Sequence, residues 1–121
     1  MNARERAERR GRWAETLALL VLRLKGYRLL ARRFKCGAGE IDLIMRKGAT
    51  TAFIEVKARS TVDGAVTAVT PHQSRRIAAA AGVWMAKDPK AAESFCRFSD
   101  IVTVSSNLRV THIENAFEGL R

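Results

Sequence analysis

A chain of 121 residues, 47% of them hydrophobic, is long enough to bury about two thirds of its unfolded surface in one core and too short for a second domain. Its net charge of +10, from 22 basic and 12 acidic residues with an isoelectric point near 10.8, calls for a polyanionic partner, of which nucleic acid is the commonest. Cys36 and Cys96 are isolated and the two histidines lie far apart, which argues against a disulfide framework and a zinc site and suits the free thiols of a reducing cytoplasm.

The first predicted element is a helix from about Glu5 to Lys25, ended by Gly26. Arg4, Arg6, Arg9, Arg10 and Arg12 ahead of an apolar run imitate a secretion signal. Glu5, Glu8 and Glu15 interrupt it, no small-residue cleavage site follows, and the run is too short to cross a membrane. It therefore reads as a buried helix with Trp13, Leu17, Leu20 and Leu24 as its core stripe, in a cytoplasmic protein with no membrane partner. Glu15 shares a helix face with Ala18, Leu19 and Leu22, an odd place for a charge unless it has a function or a partner arginine. A strand near Tyr27 to Phe34 follows.

Glu40-Ile41-Asp42, a short turn and Glu55-Val56-Lys57 form the most informative stretch. In extended strands Glu40 and Asp42 point one way and Ile41 and Leu43 the other, while Glu55 and Lys57 separate likewise from Ile54 and Val56. A two-residue loop at Lys47-Gly48 would pair Glu40 with Glu55. A four-residue loop from Lys47 to Thr50 would pair Asp42 with Glu55 and Glu40 with Lys57, and a three-residue loop would send the acidic sets to opposite faces. Carboxylates about 5 Å apart repel by roughly 3 kcal/mol at an effective dielectric near 20, so such a cluster calls for a proton, an ammonium or a metal. Oxygen ligands point to Mg²⁺ or Mn²⁺. The plainer reading is the solvated face of an amphipathic hairpin. Against it, apolar residues occupy both faces of Phe53-Ile54-Glu55-Val56-Lys57, and charges within such a run are costly unless used.

Ser60 to Val69 reads as a loop placed to close over a substrate. A second helix runs from Pro71 to about Ala86 with Ile77, Ala80, Ala81 and Trp84 as its core stripe, stopped by Asp88-Pro89. Thr70-Pro71-His72-Gln73 reads as a capping box, which gives Gln73 a structural role. Strands from Ser99 to Ser105 and Arg109 to Ile113 complete the order α-β-β-β-α-β-β. Arg32, Arg33, Lys35, Arg59, Arg75, Arg76 and the N-terminal arginines are candidate phosphate contacts. Tyr27, Phe53, Trp84 and Phe98 fall in apolar patterns, so no base-stacking platform is indicated.

Gly39-Glu40-Ile41-Asp42-Leu43-Ile44 followed by Phe53-Ile54-Glu55-Val56-Lys57-Ala58-Arg59 resembles the signature of the YraN family of small bacterial proteins. That family is similar to the archaeal Holliday-junction resolvases of the PD-(D/E)XK nuclease superfamily. Gly11, Glu15, Ala18 and Gly26-Tyr27 upstream, and Arg97-Phe98, Asp100 and His112-Ile113-Glu114-Asn115-Ala116-Phe117 downstream, carry the resemblance over most of the chain. It implies an α/β fold with a three-layer, restriction-endonuclease-like core, a mixed sheet of about five strands flanked by helices, in one endonuclease-like domain over residues 1–121. By the same resemblance Asp42, Glu55 and the Val56 carbonyl would bind the metal, Lys57 would orient water or steady the phosphate, and Glu15 would be an accessory acid. Glu40 and Gln73 would support them. Two departures stand out: Gln73 replaces a lysine common in the family, although resolvase-like proteins often carry glutamine there, and Ser99 is inserted between Arg97-Phe98 and Asp100. Asp100 is expected to be structural. The function expected is a Mg²⁺- or Mn²⁺-dependent endonuclease on nucleic acid, DNA rather than RNA and branched DNA in particular. A junction resolvase needs two active sites and hence a homodimer. The alternatives are a nucleic-acid-binding module without turnover and a docking protein of DNA processing.

Overall fold

A computed structural model of the protein describes residues 1–116; the predicted tail contact at Phe117 lies outside the described residues. The chain runs α1 (Ala3–Leu24), β1 (Arg28–Cys36), β2 (Gly39–Lys47), β3 (Thr50–Lys57), α2 (Val62–Ala68), α3 (Pro71–Lys87), a 3₁₀ turn (Ala91–Glu93), β4 (Phe95–Val104) and β5 (Val110–Ile113). The strands form one mixed sheet in the order β1-β2-β3-β4-β5, antiparallel except for the β3–β4 pair. This is the expected α/β core. One sheet face packs on α1 through Ala14, Ala18, Leu19, Leu22, Leu43, Met45, Ala52, Ile54 and Val102. The other packs on α2 and α3 through Ile44, Phe53, Ala65, Val69, Ile77, Ala80, Ala81 and Ile101. Covered on both faces, β3 buries every residue from Thr51 to Glu55, and each large apolar side chain so buried contributes about 1.5–3 kcal/mol.

The core stripe expected for α1 is corrected. Trp13, Leu20 and Leu24 are exposed and Leu17 is only partly buried, whereas Ala14, Glu15, Ala18, Leu19 and Leu22 face the sheet. Ala14 and Ala18 carry single methyl groups, so this face of the helix can approach the strands more closely than the bulkier one. Asn2 caps the helix, its side chain accepting the Glu5 N–H at 2.8 Å.

The expected loop at 60–69 is also corrected. Residues 62–68 form α2, because the Thr61 hydroxyl caps its start by accepting the Gly64 N–H at 2.9 Å and Ala65 and Val69 anchor it in the core. Ile41 departs from its expected side. Leu43 packs on the α1 face, but Ile41 joins the α3-side cluster with its cross-strand partner Phe34. Arg33, left-handed at φ 54°, lies on β1 between the pairs Arg32–Leu43 and Phe34–Ile41, and the one register shift of this strand pair falls between Leu29 and Ala31.

Two further features fix the frame around β3. A Cβ at Gly39 would come within 2.4 Å of the Arg76 carbonyl oxygen, so only glycine lets β2 begin against the α3 backbone. Between Ala52 and Ile54 of β3 the partner strand carries one residue more, from Arg97 to Asp100, so the inserted Ser99 belongs to a β-bulge. The bulge lets Phe98 stack on Phe53 in the α3-side cluster while Arg97 and Asp100 meet each other, at 2.9 Å.

Candidate active site

The β2–β3 hairpin closes through Gly48-Ala49, with Lys47 paired to Thr50 and the ladder running back to Leu43 opposite Ile54. Just past the last pair of the ladder, Asp42 lies beside Glu55, whereas Glu40 points out to Lys35. The ladder has the register expected from a four-residue loop, reached with a shorter turn. Asp42 is held across the strands because its Oδ2 accepts the Val56 N–H at 2.8 Å. Glu55 lies buried on the α3 side of β3, where Gln73 Nε2 donates to its Oε2 and the Lys57 ammonium stands 3.7 Å from the same oxygen.

Burial, above all, drives the Glu55 carboxyl up to about 9. The Asp42 charge and its hydrogen bond with Glu55 add to the rise, Lys57 opposes it, and Glu40 contributes least. At neutral pH Glu55 thus keeps its proton. Gln73 has two attachments. Its backbone N–H is capped by the Thr70 hydroxyl at 3.1 Å, as the capping reading predicts, but its side chain reaches the site instead of folding back on the cap.

Asp42 and Glu55 offer only oxygen donors, of the kind Mg²⁺ and Mn²⁺ take. The desolvation and repulsion that lift Glu55 are what a divalent cation would relieve, so the residues fit such an ion. Among the described residues, no group of three His, Cys, Asp or Glu side chains is gathered as a metal cluster. The protein side chains therefore offer a pair of carboxylates, and Mg²⁺ commonly completes its shell with water and substrate phosphate.

The other predicted residues lie further out. Glu15 is buried and accepts from Arg32 Nε at 2.7 Å and Arg33 Nε at 3.0 Å, the partner-arginine reading of its position. Arg32 also donates to the Thr16 hydroxyl at 2.8 Å. Glu40 is exposed and pairs loosely with Lys35 at 3.9 Å. Arg59, Arg75 and Arg76 are exposed. Sequence reasoning did not anticipate the linkage of Tyr27 to Arg97 and Asp100. Arg97 donates to the Tyr27 hydroxyl at 2.6 Å, and buried Asp100 also takes His112 Nε2 at 2.8 Å and the Asn115 N–H at 3.1 Å. Asp100 is a charge at a core position, a signal that periodicity alone does not pair with its partners. The network ties β4 to β5 and to the start of β1, a structural role for Asp100.

The sequence model of the uncharacterised protein family UPF0102 matches residues 14–104, which include Glu15, Asp42, Glu55, Lys57 and Gln73. The chain is similar to a UPF0102 protein of Methylorubrum extorquens (strain PA1), 53% identical over 117 residues, covering 96% of this chain and 91% of that one. A UPF0102 protein of Rhodopseudomonas palustris is 47% identical over 116 residues, covering 96% and 88%. One of Paramagnetospirillum magneticum is 45% identical over 119 residues, covering 95% and 92%. Among the described residues no helix is long and apolar enough to cross a membrane.

Proposed function

This chain belongs to the uncharacterised protein family UPF0102, and from that premise we propose that it is a Mg²⁺- or Mn²⁺-dependent endonuclease hydrolysing phosphodiester bonds, in DNA rather than RNA. The observation that carries the reading is the buried Glu55 carboxyl beside half-buried Asp42, with Lys57 at 3.7 Å and Gln73 in contact. Burying one carboxylate against another lowers stability, and the arrangement suits a fold that uses them.

Asp42 and Glu55 would hold the cation, with the Val56 carbonyl as a further oxygen ligand. When bound, the ion supplies Lewis acidity at the phosphate and lowers the pKa of water. Asp42 is aimed by the Val56 N–H, and Gln73 fixes the rotation of the Glu55 carboxyl. Lys57 presents its ammonium where a phosphate oxygen can take a charge-assisted hydrogen bond. Cation loading requires Glu55 to give up its proton, so loading strengthens as pH rises. Arg59, Arg75 and Arg76, which are exposed, would grip phosphates without reading bases. The likeness to junction resolvases extends the proposal to branched DNA and to a homodimer, since a four-way junction is resolved by two cuts.

A second reading, a nucleic-acid-binding module without turnover, has one observation in its favour. Gln73 and Asp42 together already satisfy a protonated Glu55, so the network is complete without a metal. Cleavage of labelled linear, flapped, single-stranded and four-way-junction DNA in Mn²⁺, Mg²⁺ or EDTA separates the two. Cutting that needs the metal and disappears in both Glu55→Ala and Lys57→Ala supports the nuclease. Tight, salt-sensitive binding without cutting supports the module.

A further inference from the structure

Trp13 is large, aromatic and 53% exposed, on a helix whose neighbouring turns carry arginine. It does not stand on open surface. It lines a cleft of about 970 Å³ between the N-terminal half of α1 and the ends of β3 and β4. Arg6, Arg9, Arg10 and Arg59 line the same cleft, and so does Lys57. Among the described residues none of these four arginines has an acidic partner: Arg6 donates to the Met1 carbonyl and Arg59 to the Ala58 carbonyl, and the ion pairs of the helix and hairpin go elsewhere. Gly11 also lines the cleft, and a side chain added there would meet nothing within 4 Å. The wall is therefore apolar where Trp13, Val56 and Leu108 form it and cationic above. That is the composition of a groove for an unpaired strand, with bases against an aromatic face and phosphates on arginines. A duplex keeps its base faces stacked inside and gives Trp13 nothing to stack on.

We propose that this cleft binds a single DNA strand, with an unpaired base stacked on Trp13, its phosphates on Arg6, Arg9, Arg10 and Arg59, and Lys57 on its wall. The proposal rests on the endonuclease reading for what happens at Lys57, but not for binding. The substrate class it adds is DNA with an unpaired segment, such as a flap, fork or gap.

The test is fluorescence anisotropy of a labelled oligothymidine and of a labelled duplex of equal length, in EDTA so that nothing is cut. Trp13→Ala should weaken oligothymidine binding about 5- to 150-fold, the range that loss of one stacked base gives. Duplex affinity should change little, and Trp13→Phe should restore most of the single-strand affinity. Gly11→Leu adds a side chain in open space on a helix that favours it, so the fold is kept while the cleft is obstructed, and single-strand binding should fall with no loss of thermal stability. The idea is overturned if Trp13→Ala binds oligothymidine as the wild type does, or loses duplex and single strand equally, or if the wild type binds neither. Dissociation of a wild-type dimer by Trp13→Ala in sedimentation would overturn it too, giving the cleft to a second copy of the chain. The two readings fail separately. Single-strand binding that depends on Trp13 without metal-dependent cutting keeps the groove and sinks the nuclease, whereas metal-dependent cutting indifferent to Trp13 does the reverse.

Discussion

Replacing Glu55 by glutamine should stabilise the protein at and above neutral pH, and the gain should grow with pH. In the fold the Glu55 carboxyl sits at about 9, against an ordinary value of 4.5. Its pKa is raised, so the stability tied to its proton is fully present below about 4.5 and is lost as pH climbs towards 9. Across that window the folded chain holds up to one proton more than the unfolded chain, which costs up to about 1.4 kcal/mol for each pH unit. Between pH 6 and 8 the wild type should lose roughly 3 kcal/mol through this one group. A glutamine mimics the protonated acid: its amide can donate to Asp42 while its oxygen accepts from Gln73. Other titrating groups are common to both proteins, so the difference between their stability curves isolates residue 55. Urea denaturation at pH 6, 7 and 8 in EDTA reads it directly, as midpoints with an unchanged slope. The reasoning is refuted if the two curves run parallel, or if Glu55→Gln is the less stable protein at pH 8.

Gln73→Ala leaves the helix cap at Thr70 in place but frees the Glu55 carboxyl, and should lower metal affinity or cleavage about 10- to 100-fold with little change in fold, measured by Mn²⁺ titration and circular dichroism. Asp100→Ala removes the buried carboxylate that Arg97, His112 and the Asn115 N–H share and should cost about 3 kcal/mol in urea denaturation; a cost under ~1 kcal/mol would contradict the network. Gly39→Ala drives a methyl group against the Arg76 carbonyl oxygen and should cost about 1–3 kcal/mol, whereas an unchanged midpoint would mean that α3 moves aside freely.

The carboxylate pair was legible because a hairpin ties residue spacing to side: once β2 and β3 pair, Asp42 and Glu55 must share a face or oppose each other completely. The helix face of α1 was not. Its stripe of large side chains, Trp13, Leu20 and Leu24, imitates a core pattern, and only the sheet decides that the small residues Ala14 and Ala18 face inward. The same misreading hid Trp13 as a surface aromatic. Ile41 lies on the other side from Leu43, beside Phe34, so the strict two-residue alternation on which the reading relied does not hold at the start of β2. The stretch 60–69 carries glycine and threonine, which mark loops, yet Thr61 serves as a cap once Ala65 has a core to enter. Arg32 and Arg33 looked free for phosphate, and buried Glu15 holds both.

The claim that Asp42 and Glu55 form a cation site is tested most directly by titrating Mn²⁺ into the protein at pH 7 by calorimetry, in two buffers of different ionisation enthalpy. One ion should bind per chain with release of about one proton, the one Glu55 holds in the fold. Asp42→Asn should abolish binding while the protein stays folded. Binding that releases no proton, or that persists unchanged in Asp42→Asn, would place the cation elsewhere and contradict the account.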